Sequence, residues 1–128
     1  LYDKQDRLKI NQWLMAQMGY VGPMIGQHHQ FHHYNPGKSD FGENRYFKIS
    51  ERIYNELDER LSQSKYLAGE DYTIADIATF PWIARHEWHD IGLKKFKGLA
   101  RWYEEISKRE AVQIGYDLLN NGDQIPKA

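Results

Sequence analysis

The chain has 128 residues, with 17 Lys and Arg against 18 Asp and Glu, so it fits one domain and lacks the basic field that non-specific nucleic-acid binding requires. It contains no cysteine, which excludes disulfide frameworks, thiolate metal sites and a cysteine nucleophile within these residues. Residues 1–20 carry charges throughout, and no apolar run approaches the roughly 20 residues of a bilayer span, so we expect a cytoplasmic protein with no nucleic-acid or membrane partner.

The first predicted element is a long helix that begins near Asp3. Its apolar residues recur at three- and four-residue steps, which places them on one face; they are Ile10, Trp13, Leu14, Met18 and Val21. Gly19, Gly22 and Gly26 follow at the same spacing. With Pro23 among them, they predict a kink and a stripe of bare backbone that another group can approach closely. Turn residues at 34–37 end this element.

Two capping patterns mark the next helices. Asp40 and Glu43 stand three residues apart and predict the start of a helix over 41–62. Thr73 and Asp76 form a second capping box, in which each residue satisfies a backbone N–H of the other. An acid in an apolar helix also suits acid–base chemistry, but the capping interpretation is the stronger one because the position of Asp76 explains it.

The rest of the chain is also helical in pattern. Residues 74–84 are apolar at nearly every position, so this helix should run through the centre of the fold. Shorter amphipathic segments follow over 96–106 and 111–118, and no alternating strand pattern of useful length is present. The predicted fold class is all-α, a bundle of about five helices.

The run from His28 to His33 is the most conspicuous polar cluster. His28 and His32 are four residues apart, as are His29 and His33, so each pair shares a helix face at a spacing that chelates Zn²⁺, Ni²⁺ or Cu²⁺. No third ligand stands nearby on the same helix. We therefore favour a polar, partly exposed helix end, and keep His28 with His32 as the alternative metal pair.

Two stretches of sequence resemble a known family. Residues 66–77, YLAGEDYTIADI, resemble the loop and capped central helix in the C-terminal domain of cytosolic glutathione transferases. Residues 12–27, QWLMAQMGYVGPMIGQ, are similar to the bacterial nu-class branch, whose members act as glutathione-dependent disulfide-bond reductases, and to a related fungal branch. Residues 43–46, 80–82 and 101–103 fit the same branch, although Lys97 and Glu110 replace two prolines that usually precede its helices.

The resemblance implies a domain assignment and a set of partners. Residues 1–128 would be the C-terminal α-helical domain, and the thioredoxin-like N-terminal domain that activates the thiol is absent from this chain. No catalytic residue is then expected here. Glutathione is implied as co-substrate, with a small electrophile or disulfide as the second substrate and a homodimer as the assembly of the full-length protein.

The resemblance also implies candidate site residues. The first helix would form one wall of the cleft between the two domains, where a second glutathione or an electrophile lies. Arg45 is the implied cation for a glutathione carboxylate, and an ion pair with Glu43 or Asp76 is an equal alternative. The other candidates for the cleft wall are Met24, Gln27, His28 and Phe31.

Two classes of function follow from these patterns. The full-length protein is expected to perform glutathione-dependent thiol–disulfide exchange or glutathione conjugation, while the status of the isolated chain as an enzyme stays open. The absence of cysteine agrees with exchange between sulfurs that belong to ligands. The alternative is a non-catalytic helical interaction module, with metal binding through the cluster from His28 to His33.

Overall fold

Five helical rods make up the described part of this computed structural model, residues 3–119 and 121–128, which contains no strand. The first rod is continuous and consists of α1 (Lys4–Ala16), a π-helical turn π1 (Gln17–Val21), α2 (Gly22–His28) and a second π-helical turn π2 (His29–Tyr34). The others are α3 (Asp40–Gln63), α4 (Ile74–Ile83), α5 (Lys97–Ser107) and α6 (Glu110–Tyr116), with a 3₁₀ turn at His86–Trp88. The predicted all-α class is confirmed.

The kink predicted at Pro23 takes the form of a π turn. The ring of Pro23 lacks an N–H and conflicts with the carbonyl four residues earlier, and the wider turn of π1 immediately precedes it. A Cβ on Gly22 would lie 3.1 Å from the Trp82 ring and 2.9 Å from Nε2 of Gln17. The predicted close approach therefore occurs at Gly22, where α4 packs, whereas Gly19 has open space around it.

Helix α3 begins one residue earlier than predicted and with a different cap. Its N-cap is Ser39, whose Oγ accepts a hydrogen bond from the N–H of Gly42 at 3.1 Å. The predicted capping box of Asp40 and Glu43 is wrong, because Asp40 is already helical and Glu43 accepts from the N–H of Gly37 instead. Glu43 thus closes the turn between the first rod and α3.

The capping box at Thr73 and Asp76 is confirmed, and Asp76 also joins three parts of the fold. The N–H of Thr73 donates to Oδ2 of Asp76 at 3.0 Å, and the Thr73 hydroxyl accepts from the first turn of α4. Oδ1 of Asp76 accepts from the N–H of Leu67 at 3.0 Å and from the indole N–H of Trp102 at 2.9 Å. Because Asp76 is fully buried and held by these donors, its role is structural.

Helix α4 buries one face in the core, but Ile74 and Ile77 on its other side are 53% and 52% exposed, so the prediction that it runs through the centre of the fold is only partly confirmed. Helix α3 packs tightly against α5. The side chain of Asp58 on α3 accepts from the N–H of Leu99 at 2.9 Å and so caps the start of α5. A Cβ on Gly98 would lie 2.8 Å from the backbone N of Ser62, so only glycine allows this spacing. No helix in the described ranges is long and apolar enough to cross a bilayer. The largest fully buried side chains are Trp102, Tyr54, Tyr103, Ile25, Ile53, Leu57, Leu61, Leu67, Ile83, Leu93, Leu99 and Ile106.

Candidate functional site

A buried network of three imidazoles and one phenol lies at the end of the first rod. Nε2 of His28 is 2.9 Å from the carbonyl oxygen of His89, and Nε2 of His29 is 2.6 Å from Nε2 of His89. Tyr54, on α3, places its hydroxyl 2.5 Å from Nδ1 of His89. His29 is 6% exposed and the other three residues are fully buried, so the network connects the first rod, α3 and the segment after α4 without solvent.

Burial holds these imidazoles in the neutral state at pH 7. Burial, with smaller contributions from the adjacent His29 and His28 rings, lowers the pKa of His89 to about 2. It also lowers the pKa of His29 to about 4, with contributions from the His28 ring and the Arg85 guanidinium. The pKa of His28 is lowered mainly by burial as well. The network is therefore polar but uncharged.

Two tryptophans pack against the network at His29. The ring of His29 stacks on Trp82, with the planes 22° apart, and meets the edge of Trp88 at 5.4 Å between centroids. Exposed His33 stacks flat on Trp88 at 4.1 Å, and the Arg85 guanidinium lies over the Trp88 ring at 4.4 Å. The histidines of the run thus differ in their surroundings: His28 at the end of α2 and His29 at the start of π2 are buried, whereas His33 is exposed.

The geometry does not present His28 and His32 as a chelating pair. Their rings stack at 4.9 Å with 15° between the planes, and Nε2 of His28 already faces the His89 carbonyl. Among the described residues, no group of three or more His, Asp or Glu side chains is placed to hold a metal ion. The metal alternative has no further support from the geometry.

The residues predicted for the cleft wall on the first rod differ in their exposure. Met24, Gln27 and Phe31 follow one another at steps of three and four along α2 and π2; Met24 and Phe31 are half-buried and Gln27 is exposed. Phe31 also stacks on Tyr46 of α3, with centroids 5.4 Å apart and planes 13° apart. His28 differs, because its side chain is fully buried.

Arg45 lies on α3. It is exposed, and it directly precedes Tyr46 on the helix that Phe31 packs against. The alternative ion pair with Glu43 or Asp76 is not formed in the described residues: Glu43 binds the N–H of Gly37, and Asp76 is buried at the start of α4. The guanidinium is therefore available to an anion from solution.

Sequence reasoning missed Tyr54 and His89. They are 35 residues apart, and His89 is 60 residues from His29, so no local spacing connects them. The available signal was weaker: Tyr54 lies on the buried face of α3, where a phenol requires a hydrogen-bond partner. That requirement predicts a partner but does not identify it.

With this geometry, the chain can be assigned to a class of protein. The sequence model of the family described as "Glutathione S-transferase, C-terminal domain" matches residues 38–110, and the chain belongs to that family. It is 37% identical over 111 residues to the disulfide-bond oxidoreductase YfcG of Escherichia coli, a match that covers 87% of this chain and 52% of that protein.

Solved structures agree with this assignment. A glutathione transferase from Burkholderia graminis with two glutathione molecules bound per subunit gives a TM-score of 0.86 at 32% identity, covering 95% of this chain and 54% of that chain. A glutathione transferase from Pseudomonas putida with one glutathione disulfide per subunit gives 0.80 at 36% identity, covering 90% and 53%. The chain thus spans about half the length of these relatives.

Proposed function

We propose that residues 1–128 are the helical half of a glutathione-dependent enzyme that reduces disulfides by thiol–disulfide exchange. The observation that carries the proposal is the likeness, over nearly the whole chain, to transferases that hold two glutathiones or one glutathione disulfide per subunit. In this proposal a thioredoxin-like domain outside this chain activates the thiol. This chain supplies the opposite wall of the cleft, through Met24, Gln27, Phe31 and Arg45, with His28 supporting the wall from behind.

Two glutathiones suffice for the exchange. The thiolate of the first attacks one sulfur of the substrate disulfide, which forms a mixed disulfide and releases a substrate thiolate. The second thiolate attacks the glutathione sulfur of the mixed disulfide, which releases the other substrate thiolate and leaves glutathione disulfide. The two electrons gained by the substrate come from the two glutathiones. No cysteine of this chain is needed, and it contains none.

Arg45 is proposed to bind a carboxylate of glutathione. Its support is that Arg45 is exposed, has no carboxylate partner in the described residues, and directly precedes Tyr46, whose ring stacks on Phe31. A guanidinium binds a carboxylate through two parallel hydrogen bonds, which a lysine cannot reproduce. In the whole protein, Arg45→Ala should therefore raise the KM for glutathione about 10- to 100-fold, the equivalent of a charge-assisted hydrogen bond. Lys97→Ala removes an exposed cation from α5 and is the matched control.

The reaction class is tested with two substrates in the whole protein. Glutathione-dependent reduction of 2-hydroxyethyl disulfide at a rate well above conjugation of 1-chloro-2,4-dinitrobenzene supports disulfide reduction. The opposite ratio assigns the protein to conjugation. Absence of both activities, together with absence of glutathione binding, leaves the non-catalytic interaction module as the function.

We further propose a cytoplasmic homodimer. Met15 and Met18 stand three residues apart on the first rod and are 61% and 59% exposed, so they supply apolar surface for a second subunit. Light scattering during gel filtration should give twice the mass of one chain of the whole protein.

Reading the gene upstream of Leu1 tests the domain assignment, which requires about 80 residues with alternating strand and helix patterns there.

A further inference from the structure

The π2 turn needs an external support. π-helical turns are rare and occur where side-chain or tertiary contacts stabilise them. π2 begins at His29, and its neighbour His28 ends α2; both rings face His89, in the segment after α4. Gln27 and Phe31 lie on either side of these two histidines. The positions of these two wall residues thus depend on what holds the two rings.

The hydrogen bonds around His89 have one consistent direction. A carbonyl oxygen only accepts, so His28 donates its Nε2–H to the carbonyl of His89. The Tyr54 hydroxyl is fully buried, and Nδ1 of His89 is its one partner among the described residues, so Tyr54 donates to it. A neutral His89 then carries its proton on Nε2 and donates it to Nε2 of His29. The reverse direction would leave the Tyr54 proton buried without an acceptor.

The neutral state of the rings preserves this direction. An additional proton on His29 would place two donors against each other across 2.6 Å. The charged or titratable groups around these rings are Tyr54, His28, His32, His33, His86, Arg85 and Asp90. Asp90 favours a proton on His28. The neighbouring imidazoles and the Arg85 guanidinium disfavour protonation of the rings that they face, and burial disfavours it as well.

We infer that Tyr54, His89 and His29 form a one-directional hydrogen-bonded chain that fixes the π2 turn, and that His89 is thereby a positioning residue for the glutathione-binding wall formed by Gln27 and Phe31. The inference rests on the proposed function for its consequence in catalysis. His89 does not touch the wall surface, since it is fully buried and acts through His29. It should therefore affect how well glutathione binds and leave the chemistry of the bound thiol unchanged.

The kinetic test uses His89→Phe in the whole protein, which keeps a ring in place and removes both nitrogens. If π2 then occupies its binding geometry about one tenth of the time, the KM for glutathione rises about tenfold while kcat changes little. His89→Gln should raise the KM less than His89→Phe does, because the glutamine amide both accepts and donates hydrogen bonds. His33→Phe is the matched control and should keep the KM of the unmodified protein, since exposed His33 stacks on Trp88 and lies outside this chain of hydrogen bonds.

Tyr54→Phe keeps the test decisive if His89→Phe does not fold, because it removes a single hydroxyl. We expect it to raise the KM about threefold by the same reasoning. Folded Tyr54→Phe or His89→Phe proteins with the KM of the unmodified protein would overturn the inference. A fall in kcat as large as the rise in KM in these variants would also overturn it, as would an equal rise in KM in His33→Phe.

A second readout does not depend on activity. Nitrogen-15 NMR of the histidine rings should show the proton on Nε2 in His89 and on Nδ1 in His29. The opposite tautomers refute the direction of the chain. If the unmodified protein neither turns over nor binds glutathione while the tautomers are as inferred, the proposed function fails and the network stands as a purely structural one, which overturns the positioning role.

Discussion

Lowering the pH from 7 to 5 should destabilise the fold through its buried histidines. An unfolded histidine has a pKa of about 6.5, whereas burial lowers the pKa of His29 to about 4 and that of His89 to about 2. Between pH 6.5 and 4 the unfolded chain therefore binds more protons than the folded chain. Because falling pH favours the state that binds more protons, the free energy of unfolding decreases as the pH falls through this range.

The size of the effect follows from the same values. A histidine that is protonated only in the unfolded state costs about 2 kcal/mol at pH 5 relative to pH 7. His29 and His89 together should lower the free energy of unfolding by about 4 kcal/mol, and His28 adds to this in the same direction. That is a large part of the free energy of unfolding of a typical domain, which is about 5–15 kcal/mol.

Urea unfolding monitored by tryptophan fluorescence at pH 7, 6 and 5 measures this decrease. His29→Phe keeps the stacking on Trp82 and removes one titrating group, so its stability should depend less steeply on pH. His33→Phe, at an exposed position, should retain the full dependence. A free energy of unfolding that is the same at pH 5 and pH 7 would refute the buried, neutral network.

Other predictions concern single packing contacts, all measured by urea unfolding. Asp76→Asn replaces one of the two acceptor oxygens by an NH2, which then faces either the N–H groups of Leu67 and Trp102 or that of Thr73, so we expect a loss of about 3–5 kcal/mol. A loss below about 1 kcal/mol would contradict this. Gly98→Ala brings a Cβ within 2.8 Å of the backbone of α3 and should cost about 1–3 kcal/mol. Gly115→Ala, in α6 with nothing within 4 Å of the added Cβ, should instead stabilise by about 0.5–1 kcal/mol, and equal effects of the two alanines would contradict the packing argument.

Local chemistry explains which features could be predicted. The Thr73 and Asp76 box was found because its partners are three residues apart and the pattern has one physical solution. At the start of α3 the same rule predicts the wrong N-cap, because Ser39 and Asp40 are adjacent and both are suitable N-cap residues. The choice between them depends on the preceding turn, because the N–H of Gly37 in that turn donates to the Glu43 carboxylate. The cap of α3 therefore depends on the loop rather than on the helix sequence alone.

Long-range contacts explain what could not be predicted. Trp102 reaches Asp76 across 26 residues, and His89 reaches His29 across 60, so neither pairing leaves a periodic signal in the sequence. The run of histidines drew attention to metal chemistry because i and i+4 share a face of a regular helix. His28 and His32 do share a face, since their rings stack at 4.9 Å, but His28 is fully buried and its Nε2 is bonded to the carbonyl of His89, in the segment after α4.

The central claim is that this chain forms half of a glutathione-binding cleft. Isothermal titration calorimetry of the whole protein with glutathione disulfide tests it most directly, since binding is measured without any assumption about the second substrate. We predict saturable binding of one glutathione disulfide per subunit, weakened by Arg45→Ala and unchanged by Lys97→Ala. Absence of binding of both glutathione disulfide and glutathione to a folded protein would contradict the account.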